Sequence, residues 1–195
     1  TGRVLDYGCG TGQFLEALQL ANHEASGVEI NPSAREKAAR FGAVSEDISG
    51  VGGDLDVITM WHVMEHVYDL HGLVQEFKNR LKKGGALIIA VPNPESPDAA
   101  HYGEHWAAWD VPIHAHHFTK KSMQSFLSAH DFKLHDIIPM DMDAYYISLL
   151  SEQYKDGASK KSLKHWLSAV NQGFKSNSKA GKENTSSLIY RFILE

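Results

Sequence analysis

Cysteine is nearly absent: Cys9 stands alone among 195 residues, which rules out a disulfide within the chain and suits a reducing compartment. No apolar run approaches the roughly 20 residues that a membrane-spanning helix needs, and no charged-then-apolar leader opens the sequence. These absences predict a soluble, unexported, cytoplasmic protein. Basic residues are also short. With 19 Lys and Arg against 24 Asp and Glu, the formal net charge is −5. That argues against a general nucleic-acid binder, because neutralising phosphates takes clustered cations. One stretch departs from this balance: Lys155 to Lys182 is rich in Lys and nearly free of acids. A solvated surface accounts for it, and an anionic partner would also suit it. There is no internal repeat and no low-complexity tract.

What is present reads as alternating strands and helices. Arg3 to Tyr7 is a short apolar-rich run that stops at a glycine cluster, as a buried parallel strand does. A helix with Phe14, Leu15, Leu18 and Ala21 on one face follows, and Ser26 to Ile30 reads as a second strand. Asn31 suits the cap of the next helix, with Pro32 in its first turn. Leu55 to Met60 is another strand, and Asp69 to Lys82 spaces its apolar residues as a helix that Gly84-Gly85 would end. The run from Ala86 to Val91 is apolar throughout, the mark of a strand covered on both faces. A Pro-, His- and Trp-rich loop comes next, then a helix capped by Thr119 and a strand from Phe132 to Pro139.

Strands and helices alternating at this spacing predict an α/β domain: about seven mainly parallel strands, helices on both faces, and Ser187–Leu194 as an antiparallel edge. The length suits a single domain. Residues 1–139 form its expected cofactor-binding core, 140–186 a helical insertion and candidate region for choosing the substrate, and 187–195 the final strand. Ser176 to Ser187, being polar, is the expected flexible loop.

The informative stretch is Asp6-Tyr7-Gly8-Cys9-Gly10-Thr11-Gly12, placed where a strand turns into a helix. Glycines at alternate positions let the backbone turn tightly and approach a ligand. The pattern is G-x-G-x-G rather than the dinucleotide G-x-G-x-x-G, since residue 13 is Gln. Glu29 lies at a distance suited to a carboxylate that accepts from both hydroxyls of a ribose, and Asp47 could accept from an adenine amino group.

Taken together these segments resemble class I S-adenosylmethionine (SAM)-dependent methyltransferases. They are most similar to the methyltransferase type 23 group, which is related to the ubiquinone-pathway O-methyltransferases. Val4 to Gly12 resembles the first motif, Glu29 the ribose-binding acid, Asp47-Ile48 the adenine-contacting pair, and Asp56-Val57-Ile58 through Glu65-His66-Val67 the fourth strand and its turn. Leu81 to Gly85 resembles the turn before strand five, with Lys83 in place of proline. Asp110-Val111-Pro112 and His117-Phe118-Thr119 match a segment common in the group. The similarity covers roughly residues 3 to 139. It implies a Rossmann-like fold and a SAM site drawn from Asp6, Gly8, Cys9, Gly10 and Gly12, from Glu29 and Ile30, from Asp47 and Ile48, and from Trp61 and His62. Group members usually carry helices before the first strand, and this sequence starts without them. The insertion from Met140 to Ser187 matches no motif.

Eight of the twelve histidines lie between His62 and His117. His62-Val63-Met64-Glu65-His66 matches the zinc-peptidase pattern H-x-x-E-H, but it follows directly on a strand rather than lying inside a helix, so no metal is expected. Methyl transfer to a hydroxyl or amine needs alignment and a proton acceptor, and histidine titrates in the right range. His66, at the start of an expected substrate-facing helix, and His117 are the candidate bases; for His114, His116 and His117 the other reading is pinning of their loop. The function expected is methyl transfer from SAM to O or N of a small-molecule acceptor, with no nucleic-acid partner. Two alternatives stay open: a non-catalytic SAM-binding domain, and an NAD(P)-dependent oxidoreductase, which the missing Tyr-x-x-x-Lys pair disfavours.

Overall fold

The computed structural model describes residues 1–157, 162–181 and 183–195. Lys160, Lys161 and Lys182 of the Lys-rich stretch lie outside the described residues. The chain divides into two compact units: Thr1–Ile89 with Gln124–Asp136 and Tyr190–Glu195, and Ala90–Met123 with Ile137–Ile189.

The strands are β1 (Arg3–Tyr7), β2 (Glu24–Val28), β3 (Ala43–Ser45), β4 (Leu55–Trp61), β5 (Leu81–Pro92), β6 (Phe132–Pro139) and β7 (Ser187–Leu194). They form a seven-stranded sheet in the order β3-β2-β1-β4-β5-β7-β6. β1 pairs in parallel on both sides, Leu5 lying opposite Ser26 of β2 and Ile58 of β4. The apolar runs explain this position, since Leu5, Ile58, Leu87 and Ile89 are wholly buried and a strand covered on both faces needs no polar alternation. β7 is the antiparallel strand. Its first residues meet the ends of β5 and β6 (Asn93 N to Ser186 O, 2.8 Å; Met140 N to Ser187 O, 3.2 Å), and Glu195 N donates to Asp131 O at the start of β6. It stands one place inside the rim, with β6 outermost, rather than at the edge where the sequence put it.

In the first unit, α1 (Gln13–Leu20), α2 (Pro32–Ala38) and α3 (Leu70–Arg80) follow β1, β2 and β4. Asn31 caps α2 as expected, accepting from Ser33 N and Ala34 N. Asp69 does the same for α3 through Gly72 N, and that helix buries Leu70, Leu73, Val74 and Phe77. The helix was expected to run to Lys82, but it stops at Arg80 because Leu81 is already extended. Lys82 is drawn sideways instead, its Nζ 2.6 Å from Asp56 Oδ1.

The second unit holds α4 (Pro97–Tyr102), α6 (Asp143–Lys155) and α7 (Leu163–Ala180). α5 (Lys120–Ser128) begins at its boundary, capped by Thr119, whose Oγ1 accepts from Ser122 N. The core gathers Ala99, Tyr102, Trp106, Ala107, Ala108 and Ile147. Asp98, with no exposed surface, accepts from Trp106 Nε1 and Ser176 Oγ, both at 2.8 Å. Ser176 therefore belongs to a buried network and α7 runs to Ala180, so the first five residues of the expected loop over Ser176–Ser187 are helix. Beyond it Asn184 donates to Glu95 O and accepts from Asn93 Nδ2. Replacing Asp98 by Ala strands two buried donors. It should lower stability by about 2–4 kcal/mol, measured by urea unfolding; a loss under ~0.5 kcal/mol would show that the network carries no weight.

Candidate functional site

The strand order reverses beside β1: β2 and β3 lie on one side, β4 and β5 on the other. In open α/β sheets ligands gather beyond the C-terminal ends of the strands at such a switch point. Here those ends are Tyr7 and Trp61. The chain leaving Tyr7 bends through Gly8, Gly10 and Gly12, at φ of 79°, 54° and 88°, the left-handed region that favours glycine. Gly8 N and Cys9 N both donate to Val28 O (2.8 and 3.0 Å), which ties the bend to the end of β2. Gly10 N turns instead to Glu29, donating to Oε2 at 2.9 Å, while Glu29 Oε1 accepts from Asn31 N at 2.8 Å. The acid picked out by spacing is thus joined directly to the glycine loop.

A cavity of about 550 Å³ opens over this bend, lined by Asp6, Gly8, Cys9, Gly10, Thr11, Gln13, Phe14 and Trp61. Phe14 and Trp61 meet edge to face, their centroids 5.1 Å apart. The Trp61 indole nitrogen is buried and has no hydrogen-bond partner among the described residues, an uncommon state for a buried N–H. A second cavity of about 340 Å³ is lined by Tyr7, Gly8, Val28, Glu29, Ile30, Val63, His66 and Val67. Gly8 belongs to both.

Asp6 is almost wholly buried, and its Oδ1 accepts from Thr59 Oγ1 at 2.7 Å. Burial pushes its pKa up from 3.8 to about 6, against the pull of the Thr59 bond. Because the folded value lies above the unfolded one, ionising Asp6 costs stability as pH rises from about 4 to 6, and that cost is fully present above 6. A cation bound beside it would offset the cost, so affinity for such a ligand should rise with pH over the same window. Carboxyl NMR should find the midpoint near 6, moving higher in Thr59→Val; a midpoint near 4 would mean that water reaches the group. Cys9 is no nucleophile: burial first, then the charges of Asp6 and Glu29, push its thiol up to about 12. Its side chain packs against Leu15 and Ala38.

The remaining sequence candidates fall elsewhere. Gly12 lines neither cavity, since its α-carbon faces Ala38, which a Cβ would approach to 2.8 Å. Asp47 caps a 3-10 turn over Ile48–Gly50 and accepts from Ser49 N and Ser49 Oγ. Those bonds hold its carboxyl below the usual range, and neither Asp47 nor Ile48 lines either cavity. His62 sits in the left-handed region (φ 55°) with Nδ1 3.4 Å from Oε1 of the buried Glu65. Glu65-His66 belongs to a 3-10 turn over Met64–His66, not to the start of α3. His117 is in the second unit, with Nε2 2.9 Å from Trp109 O and its ring edge-on to the Trp109 indole. Thr11, Gln13 and Phe14 were missed by sequence reasoning. The available signal was their place in and directly after the glycine run: Thr11 between Gly10 and Gly12, and Gln13 and Phe14 in the first turn of α1.

A family model described as a methyltransferase domain matches residues 1–137. Among curated proteins, the chain is 24% identical over 168 residues to a ubiquinone biosynthesis O-methyltransferase of Acinetobacter baylyi, covering 78% of this chain and 70% of that one. It is 27% identical over 157 residues to the protein of that name from Xanthomonas campestris, covering 71% and 65%. The chain thus spans about two-thirds of the length of these relatives. A Thermotoga maritima SAM-dependent methyltransferase, described as a possible histamine N-methyltransferase, shares the fold with a TM-score of 0.65 at 19% identity, over 100% of this chain and 83% of that one. With the family match spanning the glycine loop, Glu29 and the turn after β4, the chain belongs to the methyltransferase domain family and is a methyltransferase.

Proposed function

We propose that SAM spans the two cavities that share Gly8, its methionine end over the glycine bend and its adenosine end toward Glu29 and Ile30, and that the methyl group passes to an oxygen or nitrogen of a small-molecule acceptor. The observation that carries this reading is the glycine bend itself: Gly10, with open space beyond its α-carbon, borders the first cavity and donates its N–H to Glu29. The other walls suit the same ligand. A side chain at Gly10 would meet nothing within 4 Å, so the bend leaves room for a ligand, and Asp6 supplies buried negative charge for an ammonium. Glu29 is placed to accept from ribose hydroxyls. Ile30, 78% exposed beside Glu29 in the second cavity, offers an apolar face for adenine. We prefer it to Asp47, which lines neither cavity.

Bound SAM supplies a methyl group on a sulfonium, so the protein has to align the acceptor and accept its proton. His66 lines the second cavity and is the base in this reading. His117 has Nε2 against a carbonyl and pins the loop at Trp109. The insertion at 140–186 matches no motif, and we assign acceptor choice to it.

Tritium-labelled SAM, offered with a panel of phenols and primary amines, tests the proposal. Label should reach at least one acceptor, and His66→Ala should slow transfer by about a hundredfold while leaving SAM affinity within about threefold. Tight SAM binding with no transfer to any acceptor would reduce the chain to a binding domain.

A further inference from the structure

The Lys-rich segment has no part in this chemistry, yet α7 within it has an unusual surface. A helix packed on its neighbours normally turns its large apolar residues inward. α7 does the opposite. Its buried side carries Ala169, Gly173, Ser176 and Ala180, and Gly173 lies so close to Tyr145 of α6 that a Cβ would come within 2.6 Å of the ring. The large residues face out: Leu163 is 75% exposed, Trp166 52%, Leu167 66%, Val170 56% and Phe174 67%. Their spacing puts all five on one stripe about 16 Å long. Exposed apolar surface of this extent marks an interaction site.

We propose that α7 lies on an anionic lipid surface with this stripe immersed among the headgroups. Charge selects this occupant. From Leu163 to Ala180 there is no Asp or Glu, while Lys164 and Lys175 stand exposed on the flank of the stripe and Lys179 is exposed further round the helix. Lys164 has one acidic neighbour, Asp156, at 3.4 Å. A second copy of the chain would bring the same lysines to the contact, and a nucleic acid would leave five large apolar side chains without a role. Aromatic and aliphatic residues on one face with lysines beside them are what an in-plane helix presents to acidic headgroups. The helix is formed in advance, its first turn closed by a reciprocal Ser162–His165 capping box, so docking need not bear the cost of folding it. No described helix is long and apolar enough to cross a membrane, which leaves lying on the surface as the available mode.

The test is co-sedimentation of the full chain with vesicles containing about a third phosphatidylglycerol or none, at low and moderate salt. The protein should pellet with the anionic vesicles, bind neutral ones at least about tenfold more weakly, and release as salt rises. L167E/F174E should lose about tenfold or more of the anionic binding, and so should K164E/K175E/K179E. All five sites are exposed, so both variants should keep the helical circular dichroism of the parent. Absence of binding to anionic vesicles overturns the proposal, as does binding that neither variant changes. Gel filtration supplies a third arm: a dimer that L167E/F174E dissolves would show the stripe to be covered by a second copy, and would also overturn it.

Discussion

Glu29→Ala should weaken SAM binding by about tenfold or more, the largest loss expected from a single side chain at the site. The carboxylate has two tasks. It accepts from Gly10 N and Asn31 N, which fixes the glycine bend against the end of β2, and it is placed to accept from the sugar. Truncation leaves the Gly10 amide unpaired and the ribose without its acceptor, and each unmatched polar group costs about 1–3 kcal/mol where water is excluded. Glu29→Gln keeps one acceptor oxygen and should fall between. Stability should change little, because Asn31 is exposed and its amide can turn to water. Calorimetric titration with SAM and with S-adenosylhomocysteine checks this, and an unchanged dissociation constant would remove Glu29 from the site.

The second large effect separates two glycines that look alike in sequence. At Gly12 a Cβ would stand 2.8 Å from the α-carbon of Ala38 and 3.0 Å from the Phe41 ring, at a φ of 88°. Gly12→Ala must move backbone, and should destabilise the fold by about 2–3 kcal/mol. Gly10 has a φ of 54° and nothing within 4 Å of a Cβ. Gly10→Ala should therefore cost only about 1 kcal/mol of stability, from the left-handed backbone. Its methyl group nevertheless borders the cavity and should reduce SAM affinity by about tenfold or more. Urea unfolding and titration on both variants decide the matter: equal destabilisation would contradict the packing described for the bend.

Much of this was legible because it rests on local rules. β6 and β7 have the limits read from the sequence, each being an apolar-patterned run bounded by turn residues. Asn31 and Pro32 announced the start of α2, and the alternate glycines announced a backbone that only glycine adopts easily. Two misreadings share a cause, which is that long-range contacts overrode local preference. Ser176 lies in a polar stretch that reads as loop, yet Asp98, distant in sequence, draws it into the core. Lys82 has good helix propensity, yet Asp56 holds it in a strand. The cap that Asp47 makes with Ser49, two residues on, is a local bond that spacing to the glycine loop does not announce. α7 had a clear helical period but no sign of which side faces inward, since Gly173 and Ala169 become the packed face only when Tyr145 is there to meet them.

The most direct measurement is an amide and indole NMR titration of the chain with S-adenosylhomocysteine. The account predicts shifts concentrated at Gly8, Gly10, Thr11, Phe14 and the Trp61 indole N–H, with Glu29 and Ile30 responding alongside. Shifts confined to the far cavity by Arg3 and Gly52, or a Trp61 indole signal that stays in place at saturation, would contradict it.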